Sequence, residues 1–185
     1  MDYSNYKIDK NFLDNKTFYE LQTNITANVD WWYRENLHWD KVGNASSDPK
    51  YQFIHLFYLN DAEDPQVSDK VHYLKPLLEK LSPHTVLRIK ANLTTKTEQH
   101  EYTDFHTDYS PNIIGLFNNT NPEGAKCYTS IFYVNSSNGF TQFQDGPAVE
   151  SIENSLLTFP TFYKHCGVTC TDSNTRIVIN INYLK

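Results

Sequence analysis

Cysteine is scarce. It occurs three times in 185 residues, at Cys127, Cys166 and Cys170. An odd number in a chain that starts "MDYSNYKIDK", polar and acidic rather than a signal peptide, disfavours a disulfide framework and leaves three free thiols. Cys166 and Cys170 follow closely after His165, but no second C-x-x-C or H-x-x-x-H accompanies them, so structural zinc is not expected. No apolar run approaches the roughly 20 residues that span a bilayer, which points to a soluble, cytoplasmic protein. Lys and Arg number 16 against 22 Asp and Glu, a net charge of −6, and no basic run is long enough to track a phosphate backbone. Nucleic acid is a poor fit as a partner. Repeats and low-complexity linkers are absent, and the length suits one domain spanning residues 1–185.

What is present changes character near residue 86. Before it, "NFLDNKTFYELQTNI" offers Asp14 as an N-cap and Phe18, Leu21 and Ile25 at helical spacing. A second helix fits "YLKPLLEKLSP", with Leu74, Leu77, Leu78 and Leu81 on one face, Pro76 in the first turn and Pro83 as the stop. From "VLRIKANL" onward the period is two, and "YTSIFYV", "GFTQF", "NSLLTF" and "TRIVININYL" follow, separated by "NSSNG", "QDGP" and "TDSN". The expected fold is α+β, mainly β. Residues 1–85 form a helical lead-in and outer layer, and residues 86–185 form an antiparallel sandwich or barrel buttressed on one outer face. The aromatic segment "DWWYRENLHW" suits core packing of the helical layer, a lid or a recognition surface.

Within this frame, "DFHTDYS" sets His106 and Asp108 two residues apart. On a strand that spacing presents an imidazole nitrogen and a carboxylate oxygen on one face. These are two of the three ligands of a 2-His-1-carboxylate site for non-haem Fe(II), which needs one more histidine from a distant strand. An H-x-D arises readily by composition and decides nothing alone. Downstream, "FPTFYKHCGVTCTDSNTR" supplies His165 at the end of a strand, eleven residues before Arg176. In the last strand Ile177, Ile179, Ile181 and Tyr183 alternate with Arg176, Val178, Asn180 and Asn182. If the apolar set meets the helices, Arg176 points into the barrel, where a dicarboxylate would pair with it. The alternative for Arg176 taken alone is a strand-end arginine reaching solvent or a surface carboxylate.

The stretch "HTD…SIFYVNSSNGFTQFQDG…ENSLLTFPTFYKHCGVTCTDSNTRIVININY" resembles the Fe(II)- and 2-oxoglutarate-dependent oxygenases of the prolyl-hydroxylase-like branch, especially small phage-encoded members. "NFLDNKTFYELQTNI…WWYRENLHW" resembles their helical lead-in. The resemblance implies a double-stranded β-helix, or jelly roll, core. It implies His106, Asp108 and His165 as iron ligands, Arg176 as the clamp on the distal carboxylate of 2-oxoglutarate, and Tyr133 as a hydrogen-bond donor to that carboxylate. Thr141, Asn180 and Asn92 become further residues of the cosubstrate pocket. The His-to-Arg interval is slightly longer than usual, and Asn180 stands where a hydroxyl residue is more typical. The cofactors implied are Fe(II), 2-oxoglutarate and O2, with ascorbate as the reductant in vitro. The activity implied is a dioxygenase hydroxylating a protein or peptide side chain, prolyl among them, in the host-cell cytoplasm if the source is a phage. A nucleobase or small-metabolite hydroxylase and a non-catalytic jelly-roll binding module are the alternatives.

Overall fold

Both helices form where the apolar spacing sets them. In the computed structural model, which describes residues 5–35, 51–61, 63–108 and 126–185, helix α1 spans Asn15–Ala27. Asp14 caps it in extended conformation, accepting from the Thr17 amide at 3.1 Å and satisfying a donor that the first turn leaves open. Phe18, Leu21 and Ile25 are its buried stripe. A 3₁₀ turn, Val71–Leu74, runs into α2, Lys75–Leu81, with proline in the first turn. Ser82 then takes a left-handed backbone (φ 52°) that ends the helix ahead of Pro83.

The strands are β1 (Lys7–Asp9), β2 (Trp32–Glu35), β3 (Tyr51–Leu59), β4 (Gln66–Val67), β5 (Thr85–Thr95), β6 (Cys127–Tyr133), β7 (Ser137–Phe143), β8 (Ala148–Ser151), β9 (Ser155–Pro160), β10 (His165–Val168) and β11 (Thr175–Leu184). They make two antiparallel sheets. The larger has eight strands in the order β1-β9-β6-β11-β5-β3-β2, with β4 attached to β3. The smaller has the order β10-β7-β8. The result is the expected mainly β jelly roll. The lead-in, however, is not only helical. Four strands lie before residue 85, β3 pairs with β5 and β1 with β9, so this part of the chain widens the large sheet as well as backing it. Trp32–Glu35, read with the helical lead-in, is a strand paired with β3. Trp31 packs against the helix-side core, Trp32 and Tyr33 are exposed, and Trp39 lies outside the described residues.

Strand β11 has two buried faces. Ile177, Ile179, Ile181 and Tyr183 join Phe18, Leu21, Ile25, Leu74, Leu77 and Leu81 in a core between the large sheet and the helices. Each such aliphatic side chain contributes about 1.5–3 kcal/mol by leaving water. Val178 faces the other way, into a second core between the sheets with Ile131, Tyr133, Phe143, Leu157, Phe159 and Tyr163. Asn154 ties the lead-in to this body. It sits at φ 56°, is 4 % exposed, accepts from the Leu13 amide and donates to the Leu13 carbonyl, both at 2.8 Å.

Asn154→Ala leaves two buried backbone groups unpaired and puts a Cβ residue without a compensating side-chain bond in the left-handed region. Urea denaturation should show a loss of about 3 kcal/mol. Asn154→Gly, which relieves the backbone but not the hydrogen bonds, should lose less.

Candidate metal centre

A single backbone pairing brings the two histidines together. The His106 amide donates to the His165 carbonyl and the His165 amide to the His106 carbonyl, each at 3.0 Å. Residues in such a closed antiparallel pair project side chains to the same face, and the ring centroids are 4.8 Å apart. His106 is held by an isolated bridge to the edge of β10, not by an extended strand, and His165 is the first residue of β10. Asp108 completes the group: the candidate ligand atoms of His106, Asp108 and His165 lie within 4.8 Å of one another, with Asp108 Oδ2 3.9 Å from His165 Nε2.

The imidazoles are oriented for ligation. His106 Nδ1 is 3.0 Å from the Asp104 carbonyl and His165 Nδ1 is 3.0 Å from the Tyr163 carbonyl. A carbonyl can only accept, so each Nδ1 carries the proton and each Nε2 offers its lone pair to the centre. Burial, and then the neighbouring His165, push the His106 pKa down, which keeps that imidazole neutral.

Behind Asp108 stands a row of residues that sequence reasoning missed. Asn182 on β11 is the register partner of Arg88 on β5 and of Thr129 on β6. Arg88 Nη2 donates to Asp108 Oδ1 at 2.8 Å and Arg88 Nε to Asn182 Oδ1 at 3.0 Å. Thr129 Oγ1 and Asn182 Nδ2 donate to Asp108 Oδ2 at 2.8 and 3.0 Å. Burial raises the Asp108 pKa, but the charges of His165 and His106 when those rings are protonated, the Arg88 guanidinium and the Asn182 bond outweigh it and hold the carboxyl well below the usual range. The signal in the sequence was the polar face of "VLRIKANL". A central strand that alternates apolar residues with Arg88, Lys90 and Asn92 has polar groups to place indoors.

Farther along β11, Arg176 is 5 % exposed. Its Nε donates to Ser151 Oγ at 2.7 Å and its Nη2 to Thr141 Oγ1 at 3.1 Å, while no carboxylate among the described residues lies within ion-pairing distance. Tyr133 is fully buried, its ring 5.8 Å from the guanidinium and its hydroxyl donating to Thr141 Oγ1 at 3.0 Å. Thr141 thus accepts from both Tyr133 and Arg176, and its own hydroxyl proton is left to donate. Gly139 makes room: a Cβ there would lie 2.7 Å from Arg176 Cδ and 2.9 Å from the Val168 carbonyl oxygen.

One cavity of about 100 Å³ connects these groups, lined by His106, Asp108 and His165 together with Thr141, Arg176, Asn180 and Asn92. Of the residues singled out from sequence, Tyr133 alone is not in the lining and acts through Thr141. The side-chain oxygens Thr94 Oγ1 and Asn180 Oδ1, on lining residues, are buried without a hydrogen-bond partner. Two imidazoles with inward lone pairs and a carboxylate fit a divalent metal. A buried arginine bonded only to hydroxyls, beside orphaned polar atoms, fits an anionic oxygen-rich ligand at the other end. The three cysteines are free and buried, and His106, Asp108 and His165 are the one group among the described residues arranged so that it could hold a metal ion.

Arg88→Met should destabilise the metal-free protein by about 2–3 kcal/mol, because it leaves the Asp108 carboxylate buried with part of its compensation gone, an effect reduced by the partial exposure of Arg88. Saturating Mn(II) should recover most of that loss in a thermal melt, since the cation replaces the missing charge.

No protein-family model matches the sequence, and no curated protein matches it. Solved structures do match in fold. An oxidoreductase of the 2OG-Fe(II) oxygenase family from Burkholderia pseudomallei superimposes with a TM-score of 0.62 at 12 % identity, covering 97 % of this chain and 85 % of that one. A prolyl hydroxylase from Trichoplax adhaerens, in complex with a hypoxia inducible factor peptide fragment, gives 0.58 at 14 % identity, over 97 % of this chain and 83 % of that one. The non-heme alpha-ketoglutarate-dependent epimerase SnoN from nogalamycin biosynthesis gives 0.59 at 12 % identity, over 99 % and 77 %. The chain therefore has the fold of the 2OG-Fe(II) oxygenases, as the resemblance in its sequence implied.

Proposed function

We propose that the protein is an Fe(II)- and 2-oxoglutarate-dependent dioxygenase that hydroxylates a protein or peptide side chain, with prolyl residues the first candidates. The observation that carries this reading is one cavity with a His106–Asp108–His165 cluster at one end and, at the other, a buried Arg176 with no acidic partner among the described residues. The fold shared with 2OG-Fe(II) oxygenases supports the class, and the peptide-bound prolyl hydroxylase among them supports the substrate type.

In this reading His106 Nε2, His165 Nε2 and one Asp108 oxygen would hold the metal at the end of the cavity. Bound there with 2-oxoglutarate and O2, Fe(II) supplies the oxidative chemistry that yields succinate, CO2 and a hydroxylated C–H position. The chain's own work is placement. Arg176 takes the distal carboxylate of the cosubstrate, Thr141 donates its remaining proton to the same group while Tyr133 holds Thr141 in position, and Asn180 and Asn92 line the path between. Arg88, Asn182 and Thr129 fix the orientation of Asp108. The free buried thiols suit the reducing cytoplasm as the place of action. No helix among the described residues is long and apolar enough to cross a membrane.

The test begins without a substrate. Mn(II), stable in air, should raise the melting temperature, and 2-oxoglutarate should raise it further only when metal is present. A ligand at a hundredfold excess over Kd adds about 2.7 kcal/mol. With Fe(II), ascorbate and O2, the wild type should slowly convert 2-oxoglutarate to succinate and Asp108→Ala should not. A melting temperature indifferent to both ligands, with no succinate formed, would make the protein a non-catalytic binding module on the same scaffold.

Arg176→Ala should bind Mn(II) nearly as the parent does but lose about 2–5 kcal/mol in 2-oxoglutarate affinity, measured by calorimetric titration. Arg176→Lys should recover part of it, as a point charge without the planar fork.

A further inference from the structure

The geometry points to a second anion subsite in the cavity, formed by Lys90 at its metal end and distinct from Arg176; this rests on the oxygenase reading. Lys90 lies on β5 between Arg88 and Asn92, opposite Asn180 on β11, and lines the same cavity as the three candidate metal ligands. It is half-buried and makes no ion pair or side-chain hydrogen bond among the described residues. Its charged neighbours make its ammonium harder to keep. Arg88 and Arg34 oppose the charge, and Asp108, the carboxylate that favours it, is already engaged by Arg88, Thr129 and Asn182. Burial, and then Arg88, lower its pKa to about 8. A cation held indoors under these conditions costs free energy that an anionic ligand would offset.

Arg176 is rooted at the far end of the same cavity. Its register partner on β5 is Thr94, four residues beyond Lys90, roughly 13 Å along the strand. In this proposal the two cations receive different oxyanions, one at each end of the cavity. Two sources fit the Lys90 position: the carboxylate next to the keto group of the 2-oxo acid, or an anionic group on the substrate that enters beside it. The shared chemistry is an oxyanion received by an ammonium at the metal end.

Lys90→Met removes the charge and keeps most of the bulk; Lys90→Arg keeps the charge. Mn(II)-loaded protein is titrated calorimetrically with 2-oxoglutarate and with 2-oxobutyrate, which lacks the distal carboxylate. If the keto acid supplies the oxyanion, Lys90→Met weakens both ligands by the same factor, on the order of tenfold or more. Lys90→Arg then restores most of the affinity, and Arg176→Gln weakens 2-oxoglutarate alone. If the substrate supplies it, both keto acids bind Lys90→Met as they bind the parent, while sulfate added to the Mn(II)·2-oxoglutarate complex binds the parent and Lys90→Arg but not Lys90→Met. Parental binding of the keto acids and sulfate by Lys90→Met overturns the subsite. So does a parallel fall in Mn(II) affinity, because loss of a nearby cation can only favour the metal and a fall means the cluster has been disrupted. A wild type that binds neither Mn(II) nor keto acid overturns the oxygenase reading, and this inference with it, and is recognised before any variant is compared.

Discussion

Strand β11 is covered on both faces and hydrogen-bonded on both edges, and Arg176, Asn180 and Asn182 with the groups they hold depend on that placement. One set of alternating side chains, Ile177 to Tyr183, anchors it to the helices by burial. The other set, Arg176, Val178, Asn180 and Asn182, is thereby forced into the space between the sheets. Because the side-chain period is two, the register cannot slip by one residue without sending Arg176 into the aliphatic core, where nothing could solvate it. Hydrophobic burial on the helix side is thus what positions the polar groups on the cavity side.

Reading across the large sheet at right angles to its strands shows how the site is layered. Arg88, Asn182 and Thr129 form one row beneath Asp108, Lys90 and Asn180 the next, Asn92, Val178 and Tyr133 a third, and Thr94 and Arg176 the last. Among the described residues, the only carboxylate in the cavity lining is at one end and the most deeply buried guanidinium at the other. Both are fixed by hydrogen bonds that exist before any ligand arrives, so little reorganisation is left to be done on binding. The hydroxyl partners of Arg176 take up two of its five N–H donors without neutralising it, which leaves the charge and the remaining donors available.

The sequence was most legible where one period dominated. Helices α1 and α2 and strands β5, β6, β7, β9 and β11 follow from spacing and turn residues alone. Strand β3 did not, because "YQFIHLFYL" is apolar nearly throughout and shows neither period clearly; it is packed on one side and half-buried on the other. Strands β1 and β2 are short and sit at the sheet edges with little burial, so composition gave no reason to expect them. For the site, His106 and Asp108 were found by local spacing, and His165 and Arg176 by order along the chain. The Arg88–Asn182–Thr129 row was not, since those residues meet only through the pairing of three strands distant in sequence. Tyr133 was tied to the right neighbourhood, but its hydroxyl is spent on Thr141, a distinction that only side-chain geometry makes.

Gly139 carries no functional group, yet the close passage of the Arg176 side chain and the Val168 carbonyl across it leaves no room for even a methyl. Its backbone is not in a conformation that demands glycine, so the restriction comes wholly from what crosses above it. Any larger residue at this position would have to displace both the Arg176 side chain and neighbouring backbone. A side chain at 139 would push the guanidinium aside and press on the backbone at Val168 and Cys170 at once, so the anion end of the cavity depends on a residue that offers its ligand nothing.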